Sequence, residues 1–259
     1  MDLSIAGRKA IVCASSRGLG RGCAFALAEA GCDIVLNGRS EDTLAQTEAD
    51  LKARFDVAVK AVAADVSTPE GQKALLAACP NPDILINNNG GPPRMDYTEL
   101  DRGAMLDGVV QNMITPIELI QAVLGGMQSR GFGRIVNITS LSVRMPIEGL
   151  DLSSGARAGL TAFLAGVCRQ VAGNGVTVNN LLPGKMDTDR LRGGLARAAQ
   201  SSGQSLESVR DAQTSEIPVG RFGTAEEFGQ TCAFLCSTHA SYITGQNILL
   251  DGGLYPAAF

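Results

Sequence analysis

Short apolar runs alternate with helix-like segments from one end of the chain to the other. Such runs are typical of buried parallel strands, and strands that alternate with helices build βαβ units. The sequence therefore predicts an α/β fold with a doubly wound parallel sheet. The predicted strands are residues 10–14, 33–37, 59–65, 83–88, 133–139, 176–182 and 247–250.

The length and composition indicate a single domain. The chain has 259 residues, 45% of them hydrophobic, which suits one layered domain better than two enzymatic domains with separate cores. We therefore expect residues 1–259 to form one domain. Residues 189–217 are rich in Arg, Gly, Ala, Ser and Gln and show no strand pattern. We expect this segment to cover the carboxyl ends of the strands as a substrate lid.

The charge distribution excludes some classes of partner. The net charge is −4, and the Lys and Arg residues are dispersed, so no basic face for nucleic acid is predicted. No apolar run approaches the roughly 20 residues that span a bilayer, and the N-terminus lacks the apolar core of a signal peptide. We expect a cytoplasmic protein without a nucleic-acid or membrane partner.

The seven cysteines are odd in number and scattered through apolar segments. This pattern argues against a disulfide framework and indicates small core residues. Cys232 and Cys236 lie one helical turn apart, which leaves a metal site open as an alternative. The chain has a single His, however, and therefore lacks a ligand set for zinc. We predict no metal.

A turn of small residues follows the first predicted strand and precedes a helix. Small residues let the backbone turn tightly and bring helix N-terminal N–H groups against a pyrophosphate. The order of strand, turn and helix predicts a dinucleotide site, with a purely structural tight turn as the alternative. The residues assigned to the site are Ala14, Ser15, Ser16, Arg17, Gly18, Leu19 and Gly20.

The end of the second predicted strand favours a 2′-phosphorylated cofactor. An NAD site usually has an acidic residue there for the ribose 2′-hydroxyl, whereas this chain has Asn37-Gly38-Arg39. A guanidinium suits a 2′-phosphate, and Arg17 can reach the same group. The predicted cofactor is therefore NADP. The alternative is that both arginines are solvated surface residues.

Further motifs follow later strands: Asn87-Asn88-Asn89-Gly90, Pro183-Gly184 with Thr188, and a closing stretch from IPVGRFG to LLDGG. With them the chain resembles the short-chain dehydrogenase/reductase family, and within it the 3-oxoacyl-carrier-protein reductase-like members, over nearly its whole length. Ala14 and Asn89 depart from the family's usual glycine and alanine. The resemblance implies a Rossmann fold and a cofactor site that also includes Asp65, Val66, Asn88, Asn89, Gly90, Pro183, Gly184, Met186 and Thr188.

The family transfers a hydride between nicotinamide C4 and a carbonyl or alcohol carbon, assisted by a Ser, a Tyr and a Lys, with an Asn supporting a water chain. The resemblance assigns the serine to Ser140 and the asparagine to Asn112. At the tyrosine and lysine positions the chain has Ser153 and Arg157. The register is fixed by the triplet that follows Arg157. The three tyrosines of the chain all lie elsewhere: Tyr97, Tyr242 and Tyr255.

These two residues change the expected chemistry. A phenol beside an ammonium can be a usable acid and base, whereas a serine hydroxyl is far too basic when ionised. Arg157 keeps a positive charge and can bond the nicotinamide ribose, but a guanidinium does not exchange protons. Alternatively, Ser153 caps a helix and Arg157 is an ion-pair partner. The replacement acid, directly or through water, is sought among Arg144, Glu148 and Asp151.

Three hypotheses follow. The first is an NADP-dependent oxidoreductase in which Ser140 polarises the carbonyl of a small-molecule substrate. The second is a catalytically silent nicotinamide-binding protein, acting as a redox sensor or a partner subunit. The third is a protein like the halohydrin dehalogenases, which share the family's fold but keep the Tyr and lose the dinucleotide site; the chain matches them only at Arg157.

The resemblance also implies a homotetramer, paired through the helices around Asn112 and Arg157 and through the C-terminal segment.

Overall fold

A parallel sheet of seven strands forms the centre of the molecule in a computed structural model that describes residues 1–258. The strand order β3-β2-β1-β4-β5-β6-β7 confirms the predicted α/β fold with a doubly wound parallel sheet in one domain. Each predicted strand is present. The strands are β1 (Lys9–Val12), β2 (Asp33–Gly38), β3 (Val59–Ala63), β4 (Ile84–Asn87), β5 (Gly133–Ile138), β6 (Val176–Pro183) and β7 (Asn247–Leu250).

Helices cover both faces of the sheet and bury its apolar side chains. One core cluster joins the sheet to α1, α2 and α9, and the other joins it to α3, α5 and α6. The helices are α1 (Gly18–Glu29), α2 (Glu41–Arg54), α3 (Pro69–Ala78), α4 (Arg102–Val109), α5 (Thr115–Ser129), α6 (Asp151–Val171), α7 (Asp189–Ser202), α8 (Leu206–Ser215) and α9 (Ala225–Cys236).

The segment 189–217 contains α7, α8 and a short connection to residue 217. It has a small apolar cluster of its own, formed with Phe222: Leu195, Val209, Ile217 and Phe222. Helix α7 starts six residues after the end of β6, so the segment begins at the carboxyl edge of the sheet. Its role as a lid stays a prediction.

The seven cysteines are buried free thiols, which confirms their interpretation as core residues. Burial raises the pKa of Cys236 well above its usual value, so this thiol stays protonated at neutral pH. In residues 1–258, no group of three His, Cys, Asp or Glu side chains is arranged to hold a metal ion. No helix of the described chain is long and apolar enough to cross a membrane.

Candidate active site

The turn between β1 and α1 is conformationally unusual. Ala14 has φ of +45°, in the left-handed region that favours glycine, and Gly18 has φ of +59°. The N–H of Ala14 donates to Asn37 Oδ1 over 3.4 Å, and its carbonyl accepts from Asn88 Nδ2 over 3.3 Å. Strands β2 and β4 therefore hold Ala14 from both sides in a conformation that costs roughly 1–2 kcal/mol.

The N-terminus of α1 is open. The helix begins at Gly18, its N-cap Arg17 makes no side-chain capping bond, and its first turn contains no acidic residue. A Cβ on Gly20 would collide with the carbonyl oxygen of Ala14, so the turn passes this close only because position 20 is glycine. Unpaired helix N–H groups beside such a turn are suited to a phosphate. The turn thus fits the pyrophosphate of a dinucleotide.

Asn37 fixes this turn, a role that the sequence did not reveal. Its N–H donates to Ser15 Oγ (3.0 Å), and its Nδ2 donates to the carbonyls of Val62 (3.2 Å) and Ala64 (3.0 Å). The Ser15 hydroxyl in turn donates to Val12 (2.8 Å). The only sequence signal was an amide directly after the apolar residues Ile34, Val35 and Leu36. Asn37 therefore links β1, β2 and β3 behind the turn.

Arg17 lies in the turn after β1, and Arg39 directly follows the neighbouring strand β2. Ser16 packs against Gly38, where an added Cβ would lie 3.2 Å from Ser16 Oγ. Both guanidinium groups are exposed, and neither forms a salt bridge with residues 1–258. The pKa of the Asp65 carboxyl is lowered mainly by hydrogen bonds from Ser67, with a contribution from the charge of Arg39. Arg39 is thus near Asp65, at the same edge.

The loop after β6 approaches the turn from the other side. Gly184 packs against Asp251, and Met186 is buried and pairs with Gly223 in an isolated β-bridge. Thr188 caps α7, with its Oγ1 accepting from the N–H of Leu191 over 3.5 Å. The Thr188 methyl lies 3.7 Å from the position of a Cβ on Gly18. Loop and turn therefore meet at one edge of the sheet.

The segment after β4 connects this edge to a π-helical turn, Val110–Ile114, which joins α4 to α5. Asn89 Nδ2 donates to the carbonyl of Gln111 over 3.2 Å, and its Oδ1 accepts from Gly90 N–H over 2.9 Å. Asn112 is buried in the π-helical turn and donates to Gly108 over 3.3 Å. Asn89 therefore holds the end of β4 beside the turn that contains Asn112.

Ser140, Ser153 and Arg157 come together at the end of β5. Ser140 caps the short helical turn Leu141–Val143 that follows β5, and its Oγ accepts from Ser142 N–H over 3.1 Å. Ser153 and Arg157 lie one turn apart on the same face of α6, as predicted. Arg157 Nε donates to Ser153 Oγ over 3.1 Å, and Nη1 donates to the carbonyl of Ile138 over 2.7 Å. The guanidinium thus bridges α6 to the end of β5.

Residues 1–258 show neither the helix cap nor the ion pair that were the structural alternatives for this pair. Helix α6 begins at Asp151, with Leu150 at its N-cap and no side-chain capping bond, so Ser153 lies inside the helix. Arg157 forms no salt bridge in residues 1–258, although it is only 8% exposed. Burial, and secondly the charge of Arg190, lower the pKa of Arg157 to about 10. It remains a cation at neutral pH.

The candidate proton donors in residues 1–258 lie at the surface. The side chains of Arg144, Glu148 and Asp151 are exposed, as are those of Tyr97 and Tyr242. Ser153 is buried and accepts a hydrogen bond from Arg157.

Four asparagines form a ladder across the sheet that sequence reasoning missed. Asn87 Nδ2 donates to Asn137 Oδ1 (2.9 Å), Asn137 to Asn180 (3.0 Å), and Asn180 to Asn247 (2.8 Å). Each pair is in register on adjacent strands. Hydrogen bonds between buried amide side chains on adjacent strands restrict how those strands can shift relative to one another. The ladder therefore fixes the relative position of β4 to β7 just below the site.

A cavity of about 20 Å³ lies where the ladder ends, next to Val66 and Arg157. Three buried oxygen atoms of its lining residues have no hydrogen-bond partner in residues 1–258: Asn87 Oδ1, Asn112 Oδ1 and Thr115 Oγ1. A polar cavity of this size accommodates about one water molecule. The cavity thus offers a place for water close to Arg157.

Ala14→Gly is expected to stabilise the protein because glycine, which has no Cβ, adopts the left-handed backbone conformation at position 14 without the strain that alanine has there. After the greater entropy of glycine in the unfolded chain is subtracted, the gain is about 0.5–1 kcal/mol. Thermal unfolding checks this, with an expected rise of roughly 1–4 °C. Ala74→Gly, on the exposed face of α3, is the control and should lower the unfolding temperature. A decrease in both variants would contradict the strain at Ala14.

The fold and this edge define the chain as a Rossmann-like α/β protein with a glycine turn and a serine at the end of β5. A family model described as enoyl-(acyl carrier protein) reductase matches residues 13–255. The chain is 32% identical to 3-oxoacyl-(acyl-carrier-protein) reductase FabG of Vibrio cholerae over 98% of its length and 99% of that protein. The chain belongs to the short-chain dehydrogenase/reductase family.

Two further relatives are similar over nearly their full lengths. NADPH-dependent reductase BacG of Bacillus subtilis is 31% identical over 95% of this chain and 97% of that protein. The crystal structure of L-sorbose reductase from Gluconobacter frateurii with NADPH and L-sorbose has a TM-score of 0.94 at 28% identity, covering 99% of this chain and 100% of that one.

Proposed function

We propose that this protein is an NADP(H)-dependent oxidoreductase that transfers a hydride between the nicotinamide and a carbonyl or alcohol carbon of a small molecule. The observation that carries the proposal is the meeting, at one edge of the sheet, of the open α1 N-terminus, the Thr188 loop and the Ser140 turn. The relatives support it, since BacG is named an NADPH-dependent reductase and the sorbose reductase structure contains NADPH.

The cofactor would lie across this edge, and it supplies the hydride when bound. The glycine turn from Ala14 to Gly20 would hold the pyrophosphate, and Asp65 with Val66 would contact the adenine. The residues from Asn88 to Gly90, together with Pro183, Gly184, Met186 and Thr188, would line the nicotinamide side. Arg157 would donate to the nicotinamide ribose, because its guanidinium already reaches the end of β5.

We further propose that Ser153 and Arg157 occupy the positions of the family's tyrosine and lysine. Ser140 would then donate its hydroxyl hydrogen bond to the substrate carbonyl, polarising it. A serine hydroxyl at position 153 ionises far above neutral pH, so the proton would come from water or from an acid on the lid. The cavity below Arg157 provides a polar site for such water. This arrangement predicts a slow reductase rather than a fast one.

A second candidate is a catalytically silent nicotinamide-binding protein. The hydrogen bond between Arg157 and Ser153 favours it, because Arg157 holds Ser153 in a static contact and neither group exchanges a proton near neutral pH. Such a protein would bind NADPH and report its level, or support an active subunit.

The proposal is tested by mixing purified protein with NADPH and a panel of ketones, aldehydes and quinones and following the nicotinamide absorbance. Slow oxidation that depends on the carbonyl compound is expected. Reactions without a carbonyl compound give the background rate. Tight NADPH binding with no oxidation above background across the panel would overturn the reductase in favour of the silent protein.

Arg39→Ala is expected to weaken NADPH binding by roughly tenfold to hundredfold, because a charge-assisted bond to a phosphate contributes about 1.5–3 kcal/mol. NADH affinity should not change, since NADH lacks the 2′-phosphate. Calorimetric titration of both cofactors measures this. Lys73→Ala, on exposed α3, is the control for loss of one positive charge. Equal affinities for NADPH and NADH in the wild type would contradict the assignment.

Three further proposals concern the surroundings of the site. Residues 189–217 would act as the substrate lid, since α7 begins directly after Thr188. A homotetramer would cover the exposed apolar side chains of α4 to α6, among them Met105, Leu106 and Phe163. The cytoplasmic location stays a prediction.

A further inference from the structure

Three arginines besides Arg157 lie on the segment after β4 and on α7, which are in contact with each other. Arg94 lies in the segment after β4, and Arg190 and Arg197 lie on α7. The two α7 residues are seven positions apart and therefore share one face of the helix. We call Arg94, Arg157, Arg190 and Arg197 the arginine cluster.

Arg190 occupies the middle of the cluster. Its Nη2 donates to the carbonyl of Pro92 over 3.5 Å, and its Nη1 lies 2.8 Å from the position of a Cβ on Gly91. The guanidinium thus lies against the segment that follows β4. Arg94 lies next to the start of α6: a Cβ added to Gly149 would be 3.6 Å from the Cβ of Arg94. The cluster therefore joins the β4 segment, α6 and the predicted lid.

The four positive charges are close enough to affect one another. Burial, and then the charges of Arg94 and Arg197, lower the pKa of Arg190. Arg190 has the same secondary effect on Arg157. None of the four forms a salt bridge in the part of the chain that the structure describes. The cluster is therefore a concentration of positive charge without an acidic partner among residues 1–258.

Not every arginine on α7 lacks an acidic partner. Arg192 pairs with Asp187 over 2.9 Å and with Asp189 over 3.6 Å. Arg192 is thus neutralised by two aspartates, whereas Arg190 and Arg197 form no salt bridge in residues 1–258. Arg157 adds a positive charge to the cluster, and its own guanidinium is held by hydrogen bonds to Ser153 and to the carbonyl of Ile138.

We propose that the arginine cluster binds an oxyanion group of the substrate, a carboxylate or a phosphate. The proposal rests on the proposed function and narrows its substrate class to carbonyl compounds that carry an acidic group, such as oxo acids. The planar guanidinium donates two parallel hydrogen bonds to such a group, which gives orientation as well as affinity. Arg190 would hold the acidic end on the lid side while the carbonyl faces Ser140.

The test measures binding, so it does not depend on turnover. Protein saturated with NADPH is titrated by calorimetry with glutarate, with neutral glutaramide and with inorganic phosphate. Glutarate or phosphate should bind while glutaramide does not, and the tighter of the two anions identifies the acidic group. Arg190→Ala should weaken anion binding roughly tenfold to hundredfold and leave NADPH affinity unchanged. Arg190→Lys should recover part of the loss, and Lys73→Ala should behave as wild type.

Three results would overturn the proposal: no anion binding, equal binding of glutarate and glutaramide, or a parallel loss of NADPH affinity in Arg190→Ala. The last would assign the cluster to the phosphates of the cofactor. Because the substitution removes only the 3.5 Å hydrogen bond to Pro92, the variant is expected to fold, and an unchanged unfolding temperature verifies this. Anion binding by a protein that oxidises no NADPH would contradict the proposed function but support the oxyanion site.

Discussion

Ser153→Tyr combined with Arg157→Lys is expected to raise the rate of ketone reduction by roughly 10²–10⁴, the usual contribution of a positioned acid. Both residues project from one face of α6, with Ser153 Oγ and Arg157 Nε 3.1 Å apart. A phenol there would lie beside an ammonium, which lowers its pKa towards neutrality. Either substitution alone should raise the rate less. Ser153→Tyr without the lysine lacks the ammonium that lowers the pKa of its phenol, and Arg157→Lys without the tyrosine has no phenol beside it.

The rate is measured as kcat/KM for unhindered ketones, with NADPH affinity determined separately by calorimetry. The matched control is Ala158→Tyr with Arg157→Lys, which places the phenol on an exposed position of the same helix. This control should show no gain. If the double variant folds, binds NADPH and is no faster than wild type, the site has diverged beyond these two residues. The proton donor is then to be sought among Asp151, Glu148 and residues 189–217.

Asn137→Leu is expected to destabilise the protein by roughly 2–4 kcal/mol, because it interrupts the asparagine ladder with a side chain of similar size. Asn180 Oδ1 would lose its donor, and Asn87 Nδ2 would keep only the carbonyl of Pro116 at 3.3 Å. A buried acceptor without a donor bears the full cost of desolvation. The unfolding temperature should fall by roughly 5–15 °C.

Thermal and urea unfolding check this expectation. Asn81→Leu, at an exposed position between α3 and β4, is the control and should change stability by no more than about 0.5 kcal/mol. If Asn137→Leu is no less stable than this control, the ladder does not stabilise the carboxyl edge of the sheet.

The strands were predictable because buried parallel strands are continuous apolar runs. The largest errors fall at two carboxyl ends: the predicted run 10–14 ends at Val12, and 59–65 ends at Ala63, whereas every other strand boundary differs by at most one residue. There the chain leaves the sheet to form the site, and the small residues of the turn continue the apolar pattern without continuing the strand. The pattern therefore located the fold but extended two strands into the site.

The ladder and the arginine cluster were not predictable, since both depend on contacts between distant segments. Asn137 and Asn180 meet only because β5 and β6 pair in one register. Arg94 and Arg190 are far apart in sequence, so the charges seemed dispersed, although Arg190 contacts Gly91 and Pro92 on the segment that contains Arg94. For Ser153 and Arg157 the helical spacing was sufficient to predict a shared face. Only the structure shows that Ser153 is not the helix cap and that Arg157 forms no ion pair in residues 1–258.

The central claim is that this chain transfers a hydride from NADPH to a carbonyl carbon despite its unusual pair on α6. The most direct test uses NADPH with deuterium at both C4 positions of the nicotinamide and mass spectrometry of the alcohol products, with oxo acids included among the substrates. We predict deuterium at the carbinol carbon with the wild type, and none above background with Ser140→Ala, which lacks the hydroxyl that polarises the carbonyl. Tight NADPH binding by the wild type without deuterium in any product would contradict the claim.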